Sequence, residues 1–198
     1  NLVIHQQTLN KHIVFKVNDQ GNTREGLRLD GAVPEVVVNQ QSESLINFRV
    51  ESDNNTHMLF VTGSDKVGIN RSNPTSTLHI EGSIALSVLN INAANDPGTT
   101  YAIAITDCVI LVNTRPTAQG GIDSAITLTL PDASDNPGMV LTIKDAAGYC
   151  DVNAITITVS AGDNLDGNPS TTSTSLPSPA SFKKLISDGV NSWYEIGN

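Results

Sequence analysis

Charged residues are scarce in this chain, and basic residues are the scarcest of them. Eleven Lys and Arg stand against twenty Asp and Glu in 198 residues, giving a net charge of −9, and the only adjacent basic pair is Lys183 and Lys184. A nucleic-acid partner needs a basic stripe to neutralise phosphates, and an anionic membrane surface favours the same sign of charge. No run of eighteen apolar residues is present. We therefore predict no nucleic-acid partner and no insertion into a membrane.

Cysteine is almost absent, with Cys108 and Cys150 as the two examples. Two cysteines do not make a disulfide framework. Cys108 lies in an apolar stretch and is expected to be a small buried thiol, while Cys150 follows a Gly-Tyr pair near a turn. The sequence leaves open whether the two are bonded, since it fixes no distance between them. A metal site would need more ligands at Cys and His spacing, so we predict no metal and no cofactor.

Motifs for catalysis are also missing. There is no G-x-S-x-G, no P-loop and no G-x-G-x-x-G. The four histidines lie in the first half of the chain, and none has the HExxH spacing: His5, His12, His57 and His79. We therefore expect a protein that is not an enzyme.

One enzymatic alternative stays open, because glycan-cleaving sites use two carboxylates. Seven acidic residues in the second half are candidates: Asp132, Asp135, Asp145, Asp151, Asp163, Asp166 and Asp188. Almost all of them lie in expected turns, where Asp caps the backbone for local reasons. Residues 163–167 also carry a fragment of a calcium-loop pattern.

Strong helix signals are lacking, whereas strand signals fill the chain. The neutral surface residues Ser, Thr, Asn and Gly suit strands and turns better than helices. No window shows a sustained helical stripe, and the nearest one, 83–94, is equally compatible with a strand. The sequence predicts an all-β fold.

The stretch 47–83 alternates apolar and polar residues in short runs, each closed by Gly, Asn, Asp or Pro. The same pattern precedes it: Phe48 follows Phe15 by 33 positions, and Val67 follows Val36 by 31. A nearly fixed period indicates a repeat architecture. We predict repeats at about 12–44 and 45–83 within a β-structured shaft, residues 1–95.

Each repeat has too few apolar residues to offset its conformational entropy, which is about 1–2 kcal/mol per backbone residue. Several copies that wrap around one axis would share a core and pair their strand edges. We therefore expect an intertwined homotrimer, with a monomeric solenoid extended by further upstream repeats as the alternative. The expected trimer core residues are Phe15, Val17, Phe48, Val50, Val67 and Ile69.

Beyond an expected hinge at 93–100, the chain carries longer alternating segments. Seven strands are predicted, at 101–106, 108–113, 125–130, 140–144, 154–160, 182–187 and 193–196. This pattern is typical of a β-sandwich or jelly-roll-like domain, which we place at 97–198 as a head domain. The Ser/Thr/Pro-rich segment 170–181 is expected to be an exposed loop.

Few aromatic residues are available to stack on sugar rings, because aromatics make up 4% of the chain. Tyr149, Trp193 and Tyr194 are the candidates for binding. Trp193 fits a core or subunit interface better than a sugar platform, since the last strand must point one of its two aromatics inward. Tyr101 is a further candidate, and Tyr149, next to Gly148 in a turn, is expected to be more exposed than Tyr101.

Several motifs resemble a known family. FRVES at 48–52, VGIN at 67–70 and PTSTLHI at 74–80, followed by Gly82 and Ser83, resemble the "F.V…VGIGT..P.STLHV.GS" repeat. That repeat recurs in fibre proteins of tailed bacteriophages, especially those of marine and freshwater hosts. Asn70 and Arg71 stand where the family usually has Gly-Thr.

The resemblance implies a homotrimeric tail fibre on the virion, whose head contacts a host surface polysaccharide or an outer-membrane receptor. A capsid fibre or decoration protein and a glycan-degrading tailspike-type domain are the alternatives. The chain begins at Asn1 without Met or a leader sequence. We therefore expect it to be a piece of a longer protein whose preceding part joins other virion proteins.

Overall fold

The structure, a computed structural model, describes residues 3–19, 21–33, 35–39, 42 and 44–198. The chain divides into two compact units, Asn1–Ile84 and Ala85–Asn198. Regular structure in the described residues is β throughout, apart from one 3₁₀ turn at Thr117–Gln119. The prediction of an all-β chain is confirmed.

The first unit contains two sheets, one for each expected repeat. The first sheet holds β1 (Ile13–Asp19), β2 (Asn22–Asp30) and β3 (Glu35–Val38) in that order, all antiparallel. The second holds β4 (Phe48–Ser52), β5 (Asn55–Val61), β6 (Val67–Ile69) and β7 (Leu78–Ile80). Its first three strands are antiparallel neighbours, and β7 joins β6 in parallel.

The two sheets share the pairing of their second and third strands. Leu27 lies opposite Val38 in the first sheet, and Leu59 lies opposite Ile69 in the second. These are the same positions of the repeat, because Leu59 follows Leu27 by 32 residues and Ile69 follows Val38 by 31. The repeat seen in the sequence is therefore also a repeat of strand pairing.

The pairing of the first and second strands differs between the repeats by two residues. Phe15 lies opposite Leu27, whereas its counterpart Phe48 lies opposite Val61, two positions beyond Leu59. Both strand pairs contain a register irregularity. Since side chains alternate with a period of two, this shift leaves the apolar residues on the same face.

Gly68 in the VGIN motif has a steric role. A Cβ atom placed on Gly68 would lie 2.3 Å from the carbonyl oxygen of Arg71, so no larger residue fits without movement of the backbone. The equivalent position in the first repeat is Val37. Gly68 therefore allows the backbone at Arg71 to approach β6 closely.

The second unit begins with six strands that alternate between two sheets. They are β8 (Val88–Ile91), β9 (Thr100–Ala102), β10 (Val109–Val112), β11 (Ile126–Thr129), β12 (Val140–Asp145) and β13 (Ile155–Thr158). In one sheet β8, β10 and β12 pair in parallel, and in the other β9, β11 and β13 do the same. Each coil contributes one strand to each sheet, which is the arrangement of a three-coil β-solenoid.

Four further strands extend the two sheets in a mostly antiparallel manner. They are β14 (Asn164–Leu165), β15 (Ser173–Ser175), β16 (Phe182–Ser187) and β17 (Ser192–Gly197). The completed sheets have the orders β14-β17-β16-β12-β10-β8 and β15-β13-β11-β9. We call them the six-stranded and the four-stranded sheet.

One hydrophobic core fills the second unit. Alternate residues of the strands face inward, as in the pairs Ile126 and Leu128 of β11 and Ile155 and Ile157 of β13, all at most 2% exposed. Trp193 of β17 is fully buried in the same cluster. Burying one such large side chain stabilises the fold by about 1.5–3 kcal/mol. In β11 and β13, half-buried Thr side chains alternate with these buried residues.

The strand pairing differs from the expected jelly roll. All seven predicted strands of the second half are present. The four pairs of neighbouring solenoid strands are parallel, however, whereas a Greek key would pair them antiparallel. Alternation in a sequence shows which face of a strand is apolar. Alternation does not show which strand lies beside a given strand. The parallel pairing of a solenoid and the antiparallel pairing of a jelly roll therefore fit the same sequence pattern.

Two boundaries also differ from the sequence interpretation. The division between the units lies at Ile84/Ala85, ahead of the expected hinge at 93–100, because β8 pairs with β10 in the second unit. The segment 170–181 is not a simple exposed loop. It contains β15, which pairs with β13, and the buried side chain of Leu176.

Thr114 offers a test of the core. Its hydroxyl oxygen is buried without a hydrogen-bond partner in the part of the chain that the structure describes, and a buried unsatisfied group costs about 1–3 kcal/mol. We expect Thr114→Val, which keeps the shape, to leave the free energy of unfolding unchanged or raise it by about 1 kcal/mol. Urea denaturation followed by Trp193 fluorescence measures this. A clear loss of stability would show that the hydroxyl is satisfied.

Candidate interaction surface

The sheet β4–β7 has one face made entirely of apolar side chains. Residues directly opposite each other on neighbouring strands point to the same face. The register places eight side chains in two rows across the four strands: Phe48, Val61, Val67 and Leu78, and Val50, Leu59, Ile69 and Ile80. The face is partly open to solvent, since five of the eight side chains are between 36% and 57% exposed and the other three are half-buried. We call it the apolar face of the second repeat.

The sheet β1–β3 has a corresponding face. Its register aligns Phe15 with Leu27 and Val38, and Ile13 with Leu29 and Val36. Phe15 is 49% exposed and Val17 53%. This is the apolar face of the first repeat.

The two apolar faces border a common cleft of about 670 Å³. Val36 and Val38 line it from the first sheet, and Phe48 and Val61 line it from the second. Ile46, in the connection between the sheets, lies at the same cleft. Polar residues complete the lining, including Asn39, Ser42, Thr62 and Asp65, so the cleft that joins the two apolar faces is of mixed character.

Nothing within the described residues of the first unit forms a hydrophobic core. Among them only Gly68 and Pro74 are buried, and every buried hydrophobic side chain described lies between Ile91 and Trp193. An apolar sheet face is normally packed against another element. The apolar faces of the first unit have no such cover in a single chain.

Charged side chains of the first unit pair with one another on the strands and turns. The Arg28 guanidinium lies 2.6 Å from a carboxylate oxygen of Glu25, and Arg71 lies 3.0 Å from Glu81. The hydrogen bonds that Arg28 donates to the Glu25 carboxylate raise the pKa of Arg28 above its ordinary value. The first sheet does not separate apolar from charged residues completely, because Val17 lies opposite Arg24, and Arg28 lies opposite Val14 and Val37.

The six expected trimer core residues all lie on these apolar faces. Five of them are at least 36% exposed and Val67 is half-buried, so none is buried within the single chain. Burial of these side chains by further copies stays a prediction.

The aromatic binding candidates do not form one site. Trp193 is fully buried, and its indole N–H donates to the carbonyl oxygen of Pro131 at 3.0 Å. It offers no ring face to a ligand, which corrects its place among the exposed candidates. Tyr194 is 39% exposed on β17, and Tyr149 is half-buried in the turn after β12. A role of Tyr149 and Tyr194 in binding stays a prediction.

Asp145 is the most heavily bonded carboxylate of the second unit. It is fully buried at the end of β12. Its Oδ1 accepts hydrogen bonds from the backbone N–H groups of Ala147 and Gly148, at 3.1 and 2.9 Å. Its Oδ2 accepts three more, from Tyr149, Cys150 and Ala180, at 2.9–3.1 Å. One side chain thus holds the turn after β12 to a segment 35 residues further along the chain.

The environment of Asp145 favours its charged form. Burial alone would raise the pKa of Asp145, but the backbone N–H groups of Ala180, Cys150 and Ala147 lower it by more. The net result is a pKa below the ordinary value. The same region holds the buried thiol of Cys150, which donates to the carbonyl oxygen of Ser178 at 3.1 Å. Cys108 and Cys150 are both free, which answers the open question of a bond between them.

Most carboxylates considered for glycan cleavage are occupied by backbone N–H groups. Five of the seven accept such bonds: Asp132, Asp145, Asp163, Asp166 and Asp188. In the partial calcium loop, Asp163 binds the N–H of Ala133, whereas Asp166 binds that of Glu195. Among the described residues, no group of three or more His, Cys, Asp or Glu is arranged to hold a metal ion. The described part of the chain also contains no helix that could span a membrane.

No protein-family model and no curated protein matches the chain. The resemblance to phage fibre proteins therefore depends on the repeat motifs alone, and membership of that family stays a prediction.

Sequence reasoning missed two features of the second unit. The role of Asp145 could have been suspected from its place between an apolar strand and an Ala-Ala-Gly turn, where Asp often binds the following backbone. Nothing in the sequence around Asp145 indicates that the backbone N–H of Ala180, 35 residues away, donates a hydrogen bond to it. The second feature is the chemistry of the outward faces of the two solenoid sheets, which depends on strand pairing.

Proposed function

We propose that this chain is a structural and adhesive component of a phage virion, a fragment of a homotrimeric tail fibre that attaches to the host cell surface. In this proposal the first unit belongs to the shaft and the second to the head. The ligand class is a surface polysaccharide or an outer-membrane receptor. The protein is not an enzyme and needs no cofactor.

The apolar surface of the first unit is the observation that carries the proposal. Its two sheets each expose a face of Val, Leu, Ile and Phe, with no core beneath in the described residues. Exposed apolar surface of this extent marks an interaction site. A repeated sheet that lacks its own core is what an intertwined shaft needs, because each copy supplies part of the core of the others.

The state of two candidate carboxylates supports binding without cleavage. Asp163 and Asp145 are buried and accept hydrogen bonds from backbone N–H groups. A glycan-cleaving site needs two carboxyl groups on either side of the substrate.

Incubation with bacterial surface polysaccharides separates the binder from the tailspike alternative. We expect the full chain to bind at least one polymer of a panel of capsular and lipopolysaccharide O-chains. Size-exclusion chromatography of that polymer should show the same chain length before and after. Shortening of the polymer would support the glycan-degrading alternative. Antibody labelling of intact particles would distinguish a tail fibre from a capsid fibre.

A further inference from the structure

The outward face of the six-stranded sheet is apolar, although the other face of the same sheet already packs on the core. Across neighbouring strands, Val88 aligns with Val109, and Val140 aligns with Ile186 and Tyr194. Val88 is 52% exposed and Val140 38%. Leu111 and Phe182 extend the same face on β10 and β16. We call this the outer apolar face.

The four-stranded sheet of the same unit has the opposite chemistry on its outward face. Its register aligns hydroxyl side chains across the strands in two rows: Thr100, Thr127, Thr156 and Ser175, and Thr129, Thr158 and Ser173. No charged and no large apolar side chain interrupts these rows. Because hydroxyl groups can hydrogen-bond to water, this hydroxyl face is suited to solvent exposure. The outward faces of the two sheets therefore favour different environments.

The charges of the outer apolar face also differ from those of the unit. Residues 85–198 contain four basic and eleven acidic residues. Lys144 and Lys184 lie on the outer apolar face, paired across the strands with Phe182 and Thr142. Lys183 is buried with Glu195 on the inward side. The face is therefore apolar and positive on an acidic unit, and the surface that complements it is apolar and negative.

We infer that neighbouring copies of this chain cover the outer apolar face, so that the six-stranded sheet faces the trimer axis and the hydroxyl face points outward. This inference rests on the proposed homotrimer. Parallel strands are normally buried on both faces of their sheet. The parallel strands β8, β10 and β12 carry apolar side chains on the outward face as well, namely Val88, Val109, Leu111 and Val140, beside the polar Asn90, Thr142 and Lys144. A second copy is a suitable partner by charge, because residues 85–198 of each copy contain eleven acidic residues that could complement Lys144 and Lys184. In a cyclic trimer each copy offers one surface to one neighbour and a different surface to the other.

Spin labels at two positions test the orientation. The full chain carries a Cys108→Ser substitution, with Cys150 left buried, and a label at either Val140→Cys or Thr129→Cys. We expect the distance between labels of different copies to be shorter for position 140 than for position 129. We also expect the label at 140 to be less mobile.

The outcomes separate this inference from the proposed function. A trimer with the shorter distance at 129, or with a mobile label at 140, overturns the orientation and leaves the trimer in place. The mobile label would indicate that the face is left open for a host ligand. If the chain is monomeric with the label at position 140 and also with the label at position 129, the homotrimer itself is overturned.

A pair of charge substitutions gives an independent check. Val140→Asp is expected to raise the dissociation constant of the trimer by about tenfold or more, because it places a charge in a closed apolar interface. Thr129→Asp, on the hydroxyl face, is the matched control and should leave that constant unchanged. Trp193 fluorescence confirms that both variants are folded. Equal effects of the two substitutions would contradict the assignment of the outer apolar face.

Discussion

Replacing Asp145 with Asn is expected to lower the free energy of unfolding of the second unit by about 4 kcal/mol, because hydrogen bonds to a charged acceptor contribute about 1.5–3 kcal/mol each. The amide of Asn keeps the shape of the side chain but turns an NH₂ group toward donors. If its oxygen keeps the bonds from Ala147 and Gly148, the N–H groups of Tyr149, Cys150 and Ala180 lose their acceptor. Urea denaturation monitored by Trp193 fluorescence measures the loss.

Asp132→Asn is the matched control. Asp132 is half-buried in a turn and accepts hydrogen bonds from the N–H and the hydroxyl of Ser134. We expect the loss of this local cap to lower the stability by clearly less than the loss at Asp145, because Asp132 bonds only to Ser134 in the contacts above. If both substitutions lowered the stability by the same amount, Asp145 would be one ordinary turn residue among several.

Asp145 also makes the second unit sensitive to acid. Its pKa in the folded protein is lowered, so the unfolded state binds the proton more readily. The stabilising contribution is therefore complete above the unfolded pKa of about 3.9 and is lost as the pH falls through the folded pKa. Asp132 and Asp188, whose pKa values are also lowered, act in the same direction. The wild-type chain should lose stability below about pH 4 more steeply than the Asp145→Asn variant.

Phe48→Asp is expected to abolish the trimer. Phe48 is 40% exposed in one chain, so an Asp there is tolerated by the single copy. In the trimer the same substitution would bury three charges close together, each costing several kcal/mol. Sedimentation velocity should show the chain at the mass of one copy, and thermal melting should begin at a lower temperature.

Arg49→Asp is the control that separates the effect of the substituted sheet face from the effect of an added negative charge. Arg49 precedes Val50 on β4 and lies opposite Phe60, on the other side of the sheet from Phe48. It is exposed and pairs with Glu51. We expect this variant to remain trimeric. A trimer unaffected by Phe48→Asp would place Phe48 away from the subunit contacts.

The first unit was largely predictable because its information is local. Alternation fixed which residues share a face, and the offset between Phe15 and Phe48 revealed the repeat. The structure adds that the first and second strands slip by two residues between repeats. A slip of two changes no face, so the pattern in the sequence carried no trace of it.

The second unit was predictable in its strands and not in its connections. Each of the seven expected segments forms a strand, and Ile126 and Leu128 point inward as their alternation requires. The parallel pairing of β11 with β13 joins residues 29 positions apart, such as Ile126 and Ile155. No local signal distinguishes that partner from an antiparallel neighbour. The apolar outward face of the six-stranded sheet follows from this pairing and was missed with it.

The number of copies per particle in dilute solution is the most direct test of whether further copies of the chain cover the apolar faces. Light scattering of the full chain, measured over a dilution series, should give three times the chain mass of 20.9 kDa. The mass should fall together with the thermal stability of the first unit. A chain that stays at 20.9 kDa while its first unit remains folded would show that the exposed Val, Leu, Ile and Phe side chains need no further copies.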